Sequence, residues 1–191
     1  MMLSFRDTTA DDLAVVMDIH RAAFPKDTEA RLTRDLLVDP TAAPRLSLLA
    51  LDGDDAGATA LGHILFTATH VADAPGPLRA CVLAPLGVRP EAQGRGVGGA
   101  LIRAGLDRLR GDGLDLVVLA GHPGYYPRFG FRPAFPLGLV PPIAFPPEYA
   151  DAWMVCILRP DLPAEAIRGH VTWAETFSRP EYAPDPPPVE A

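Results

Sequence analysis

Between Leu86 and Gly99 the chain reads Leu86-Gly87-Val88-Arg89-Pro90-Glu91-Ala92-Gln93-Gly94-Arg95-Gly96-Val97-Gly98-Gly99. An apolar run is stopped by Pro90, a glycine loop follows, and a strongly amphipathic segment comes after it. A strand that delivers such a loop to the start of a helix leaves bare backbone N–H groups at the helix's positive end, a seat for a phosphate or pyrophosphate. Any fold open to this chain has to present that loop.

The segments around the loop predict a mixed sheet with helices. Met2 to Asp7 suits a first strand. Ala10 to Phe24 carries Leu13, Val16, Met17, Ile19, Ala23 and Phe24 near helical spacing and ends at Pro25. Asp27 is placed to cap a second helix, Glu29 to Val38, with Leu32, Leu36 and Leu37 on one side. Arg45 to Asp52 and Thr59 to Val71 flank the turn Asp52 to Gly57 and read as an antiparallel hairpin. Leu78 to Val88 shows little alternation, as a central strand covered on both faces would. After the glycine loop Val97, Leu101, Ile102, Leu106 and Leu109 form one stripe of a helix that Asp112-Gly113 stops. Asp115 to Ala120 is a buried strand, and the order strand, crossover helix, strand implies a parallel pair. Beyond it lie the aromatic segment Tyr125 to Phe131, a proline-punctuated loop from Pro133 to Pro147, a strand at Trp153 to Leu158, a helical turn at Pro163 to Ile167 and a last strand at His170 to Trp173. Residues 1–177 thus form one domain. From Ser178 the chain has too little apolar content to order itself, so 178–191 is expected to be a proline-rich flexible tail.

Composition narrows the function. The 191 residues suit one core, and no apolar run approaches the roughly 20 residues of a membrane span. Met1 to Phe24 lacks the basic start and continuous apolar stretch of a signal peptide, so a cytoplasmic location is expected. The formal charge is −7 without a basic cluster, which argues against a nucleic-acid ligand and suits a cationic acceptor. Cys81 and Cys156 lie far apart in apolar surroundings and in no metal-ligand spacing, so buried reduced thiols and no metal are expected.

Two phosphate motifs compete at the loop. Gly94-x-Gly96-x-x-Gly99 matches the dinucleotide fingerprint G-x-G-x-x-G. In that fold, however, the strand runs straight into the first glycine and an acid about 20 residues on holds the ribose. Here Arg89 to Gln93 intervenes, and the next strand ends in Leu119-Ala120-Gly121. A P-loop fails too, since no Gly-Lys-Ser/Thr follows. Gln93-Gly94-Arg95-Gly96-Val97-Gly98 does fit Q-x-x-G-x-G, with L-x-V-x-P before it. At these residues, and again at Tyr125 to Phe131, which match F/Y-Y-x-K/R-x-G-F, the chain resembles the GNAT acetyltransferase superfamily. Gly121-His122-Pro123, Gly62-His63-Ile64 and Glu29-Ala30-Arg31-Leu32 are similar to its YhbS-like branch, and the likeness spans most of residues 2–177.

The resemblance implies an α/β (α+β) fold with a mostly antiparallel central sheet, a splayed parallel strand pair and helices on both faces. It implies acetyl-CoA as cosubstrate, no metal, and direct transfer of the acetyl group to a small-molecule or peptide amine by a monomer or homodimer. Leu86, Gly87 and Val88 would hold the pantetheine by their main chain, and Gln93, Gly94, Arg95, Gly96, Val97, Gly98 and Gly99 would form the pyrophosphate loop. Tyr126 would serve the leaving thiolate as catalytic acid, with the aromatic segment carried on a helix. His122-Pro123-Gly124 stands where many members have an Asn on the pantetheine. For the base that deprotonates the amine, Glu29, His63 and His122 are candidates by type and place, and bulk solvent is a further one. Cys81, upstream on the pantetheine strand, offers a covalent acetyl relay as a lesser route. An acyl-CoA-binding regulatory module without turnover is the alternative function.

Overall fold

The computed structural model describes residues 2–53 and 57–182. In chain order the elements are β1 (Leu3–Asp7), α1 (Leu13–Ala23), α2 (Thr28–Val38), β2 (Arg45–Asp52), β3 (Thr59–Ala72), β4 (Ala80–Val88), α3 (Val97–Gly111) and β5 (Leu116–Ala120). After them come β6 (Arg132–Pro133), β7 (Leu139–Val140), β8 (Trp153–Ile157) and β9 (Gly169–Thr172). The sheet order is β1-β2-β3-β4-β5-β8-β6, with β9 paired to the far end of β3 and β7 to β9. All pairs are antiparallel except β4 with β5 and β7 with β9. The mixed sheet and the parallel β4/β5 pair agree with the sequence reading. The short β7 within the proline-punctuated loop was not anticipated, since two residues carry no readable period. The turn predicted at Asp52 to Gly57 falls partly outside the described residues.

Alternate residues of each strand serve two layers. Leu48, Ala50, Ile64, Phe66, Cys81 and Leu83 face α3, where Leu101, Ile102 and Leu106 are buried. Leu49 and Leu65 point the other way, Leu49 against Val16 and Ile19 of α1 and Leu65 against Leu36 of α2. Strands buried on both faces need no polar alternation, which is why Leu78 to Val88 shows none. Asp27 does not cap α2 with its side chain. Its carboxylate accepts from Arg21 Nε at 2.8 Å instead. No helix among the described residues is long and apolar enough to cross a membrane.

Strand β4 changes partners along its length. Against β3, Ile64 pairs with Leu86 and Phe66 with Leu83, so Ala84 and Pro85 stand opposite Leu65 alone. Such a bulge kinks the strand, and a proline without an N–H is tolerated there. On its other side β4 keeps only three parallel pairs with β5, ending at Val82 and Val118. The last stretch of β4 therefore leaves its neighbour, and the edge of Leu86 to Val88 that would face β5 carries no ladder.

Residues after β9 return to α2. Asp39 accepts from the Thr176 N–H at 2.9 Å and its hydroxyl at 2.7 Å, and Arg179 and the Tyr182 hydroxyl both reach Asp35. The first residues of the segment expected to be a flexible tail thus have fixed partners. Residues 183–191 of that expectation lie outside the described residues.

Candidate active site: a cleft at the splayed strand pair

Where β4 leaves β5 a cleft of about 650 Å³ opens. Leu86 and Val88 of β4 form one wall, and the glycine loop with the first turn of α3 forms the floor. Ala23 and Phe24 at the end of α1 close one side, and Gly121, His122, Tyr125, Tyr126, Arg128 and Phe129 close the other.

The floor follows from its residues. Gly94 and Gly96 hold φ of +71° and +85°, and a Cβ at either would meet nothing within 4 Å. Glycine is required there by the left-handed backbone and leaves the N–H groups uncovered. Among the described residues none of the N–H groups from Gly94 to Gly99 has a backbone acceptor, and the first helical bond runs from Ala100 N to Gly96 O at 3.0 Å. Four unmatched donors are normal at a helix start, and here they open onto a cleft. Gln93 donates from Nε2 to the Val88 carbonyl at 3.0 Å, tying the loop to the end of β4.

Of the predicted cofactor set, Leu86, Val88, Gln93, Gly94, Gly96, Val97, Gly98 and Gly99 line the cleft. Gly87 faces the other way, toward His20 of α1. Arg95 is exposed and is not among the lining residues. The cations that do line it are Arg103, whose guanidinium lies 5.1 Å from the Phe129 ring centre, and Arg128, 4.9 Å from that of Tyr125. Among the described residues no carboxylate lines the cleft, so a chain of net charge −7 presents a positive site there. Sequence reading missed both arginines. Their signal was a pair of basic residues on the two motif segments, and only the fold shows that these segments meet.

The aromatic segment is a short 3-10 turn, Tyr126–Phe129, and not the helix that the resemblance implied. Pro123 and Pro127 remove two of the N–H groups a helix would need, and Gly130 leaves the turn at φ +89°. The Tyr126 ring packs over Gly121, where a Cβ would lie 2.3 Å from its Cε2, and edge-on to Phe131. Burial, and then Tyr125, push the Tyr126 phenol up to about 12.

The candidate bases separate. His122 lines the cleft, but its Nδ1 accepts from the Gly124 N–H at 3.0 Å as a loop cap. Glu29 does not line the cleft, and its Oε2 is buried without a hydrogen-bond partner. His63 lies on the α1 face of β3, fully buried, with its two ring nitrogens bonded to His20 and Ser47 at 2.8 Å each. His20 was not singled out from sequence. Its signal was an imidazole on the same stripe as Val16 and Met17. Cys81 points into the core beneath α3, and burial raises its thiol far above the ordinary range. It is not in the cleft, so the covalent relay through it has no access to an acyl group.

A family model described as acetyltransferase (GNAT) domain matches residues 4–134. The uncharacterized N-acetyltransferase YjhQ of Escherichia coli (strain K12) is 41% identical over 175 residues, which are 90% of this chain and 92% of that one. A solved structure of the GNAT family N-acetyltransferase YhbS from Escherichia coli in complex with CoA superposes with a TM-score of 0.78 at 30% identity, covering 93% of this chain and 92% of that one. A GNAT family acetyltransferase from Brucella melitensis in complex with acetyl-CoA gives 0.68 at 29% identity, covering 92% and 98%. Motif, topology, cleft and these matches agree, and the chain belongs to the GNAT acetyltransferase family.

Proposed function

We propose that this protein is an N-acetyltransferase that binds acetyl-CoA in the β4/β5 cleft and transfers the acetyl group to an amine held in the same complex. The observation that carries the reading is the row of backbone N–H groups without acceptors from Gly94 to Gly99, beside Arg103 and Arg128. Acetyl-CoA and CoA occupy the solved relatives named above, and the donor set here fits the same pyrophosphate.

Acetyl-CoA supplies an acyl group activated as a thioester. The glycine loop holds its phosphates, and Arg103 and Arg128 neutralise their charge. The unladdered edge at Leu86 to Val88 pairs with the pantetheine amides as an added strand would, and one of its N–H groups polarises the thioester carbonyl as charge develops. Tyr126 stays protonated and donates a hydrogen bond to the departing sulfur. With its phenol near 12 and an ordinary thiol near ~8.5, it stabilises the thiolate without giving up its proton. A cationic amine acceptor accords with the acidic chain.

The test is thiol release from acetyl-CoA with spermidine, glucosamine and a peptide with a free amino terminus. Release that requires one of these amines is the expected result. Tight acetyl-CoA binding without release for any of them would favour a binding module, and thermal stabilisation by NAD and not by acetyl-CoA would overturn the cofactor.

A further inference from the structure

On the sheet face opposite α3 a continuous run of hydrogen bonds leads away from the cleft. His20 of α1 and His63 of β3 are both fully buried, and Nε2 of His20 lies 2.8 Å from Nδ1 of His63. Nε2 of His63 lies 2.8 Å from the Ser47 hydroxyl on β2, and the Ser47 and Thr8 hydroxyls are 2.7 Å apart. Thr8 and Ser47 line a second cavity of about 390 Å³ at the surface beside α1 and α2. At the inner end, Nδ1 of His20 is buried without a hydrogen-bond partner. It abuts Gly87, where a Cβ would stand 2.8 Å away. The residues on either side of Gly87 line the cleft, as does Phe24, whose ring stacks on His20 at 6.0 Å.

A pair of histidines kept only for structure has no use for an orphaned ring nitrogen, since a buried acceptor left unpaired is destabilising. One set against a glycine gap in the pantetheine strand has a use. We propose that His20, His63, Ser47 and Thr8 form a proton relay that runs from the face of Gly87 behind the cleft wall to the surface at Thr8, with Nδ1 of His20 as the acceptor for the proton that the amine gives up across that glycine. The inference rests on the reading of the cleft as the acetyl-transfer site.

The transfers balance with all four groups neutral. At the start His20 donates from Nε2 to His63 and His63 from Nε2 to Ser47, and the Thr8 hydroxyl, which donates to Ser47 in this structure, turns to accept from it. As Nδ1 of His20 takes a proton, its Nε2 proton passes to Nδ1 of His63, and the Nε2 proton of His63 passes to Ser47. The former Ser47 proton passes to Thr8, and the former Thr8 proton leaves to water. Every hydrogen bond ends reversed, one proton having entered and one left. The opposite sequence, fed from the surface, returns a proton to the CoA thiolate and resets the chain. Burial keeps both rings neutral at rest: it holds His20 down to about 4 and, with His20 adding to it against the Asp12 carboxylate, holds His63 well down.

The test uses the whole protein with acetyl-CoA and whichever of spermidine, glucosamine and the peptide turns over fastest. In His20→Gln and His63→Gln an amide keeps one hydrogen bond of the chain but passes no proton. The expected result is a tenfold or greater fall in kcat for each with the KM for acetyl-CoA within twofold, and a bowed proton inventory in mixed light and heavy water that becomes linear. Thermal midpoints report whether these variants fold, and Ser47→Ala at the outer end is the second disruption should they not. Unchanged kcat, or an inventory still bowed, would overturn the relay. A second arm needs no acceptor: the Nδ1 resonance of His20 in 15N-histidine-labelled protein is expected to move on addition of CoA. If no amine releases thiol, the transferase reading fails and this resonance alone decides, an unmoved signal counting against the relay.

Discussion

Tyr125 and Tyr126 stand side by side in the chain and do different things. Tyr125 lies under the Arg128 guanidinium with its hydroxyl against Gly98, where a Cβ would be 3.1 Å away, so it shapes the loop. Tyr126 is pressed into the space left by Gly121 and is the more buried of the two. Replacing Tyr126 by Phe keeps the ring and removes only the donor. Turnover should fall roughly 100-fold, while acetyl-CoA affinity by titration calorimetry stays within twofold. Tyr125→Phe should change turnover little, and equal losses in the two variants would take Tyr126 out of the proposed role. The sequence places both tyrosines at the site through resemblance alone. What separates them is a glycine five residues upstream of Tyr126, whose meaning depends on the path of the loop.

Elements were legible wherever their period was long. The stripe of α3, the hairpin β2/β3 and the crossover to β5 all follow from spacing, since burial on one face imposes that spacing directly. The bulge at Ala84 and Pro85 was not read, although a proline inside a central strand is its signature, because the apolar run continues across it without a break. That bulge, with the parallel ladder that ends at Val82, turns a packed strand into one wall of the cleft. The seat of α3 on the sheet rests on another small feature, Gly105, which admits the Phe66 ring so closely that a Cβ would lie 2.3 Å from it. Alanine is favoured over glycine in a helix by about 1 kcal/mol, but the overlap has to be relieved by moving α3 or Phe66, at a cost of ~1–3 kcal/mol. Gly105→Ala should therefore lower stability in urea denaturation. A gain would mean that the helix lifts from the sheet without loss.

At the scale of the whole molecule, residues distant in sequence hold the layers together through buried charge, and this sets how the fold responds to acid. Asp39, at the end of α2, is buried, which disfavours its charge, yet the hydroxyl and N–H donors of Thr41 and Thr176 outweigh that and hold its carboxyl below the usual carboxylate range. Thr176→Val removes one donor from a buried carboxylate 137 residues away and should cost ~1–3 kcal/mol in equilibrium unfolding. Asp12 is held low in the same sense, first by the Arg6 guanidinium at 2.7 Å on both oxygens. Each of these carboxyls contributes stability that is complete above ~4 and is lost as pH falls further. The histidine pair acts earlier and by the opposite chemistry. The unfolded chain takes up a proton on His20 from pH ~6.5 downward, whereas the folded one does not until about 4, so acid draws the protein toward the unfolded state throughout that window. The loss amounts to up to roughly 3 kcal/mol for His20, with His63 displaced in the same direction. The thermal midpoint should hold steady above pH 7 and fall between pH 6.5 and 4.5, before the carboxylates take part. His20→Gln, which keeps an amide in the chain but binds no proton, should flatten that slope even if it lowers the midpoint at pH 7.5. An equally steep slope in the variant would mean that the pair is not held neutral by burial in the folded protein.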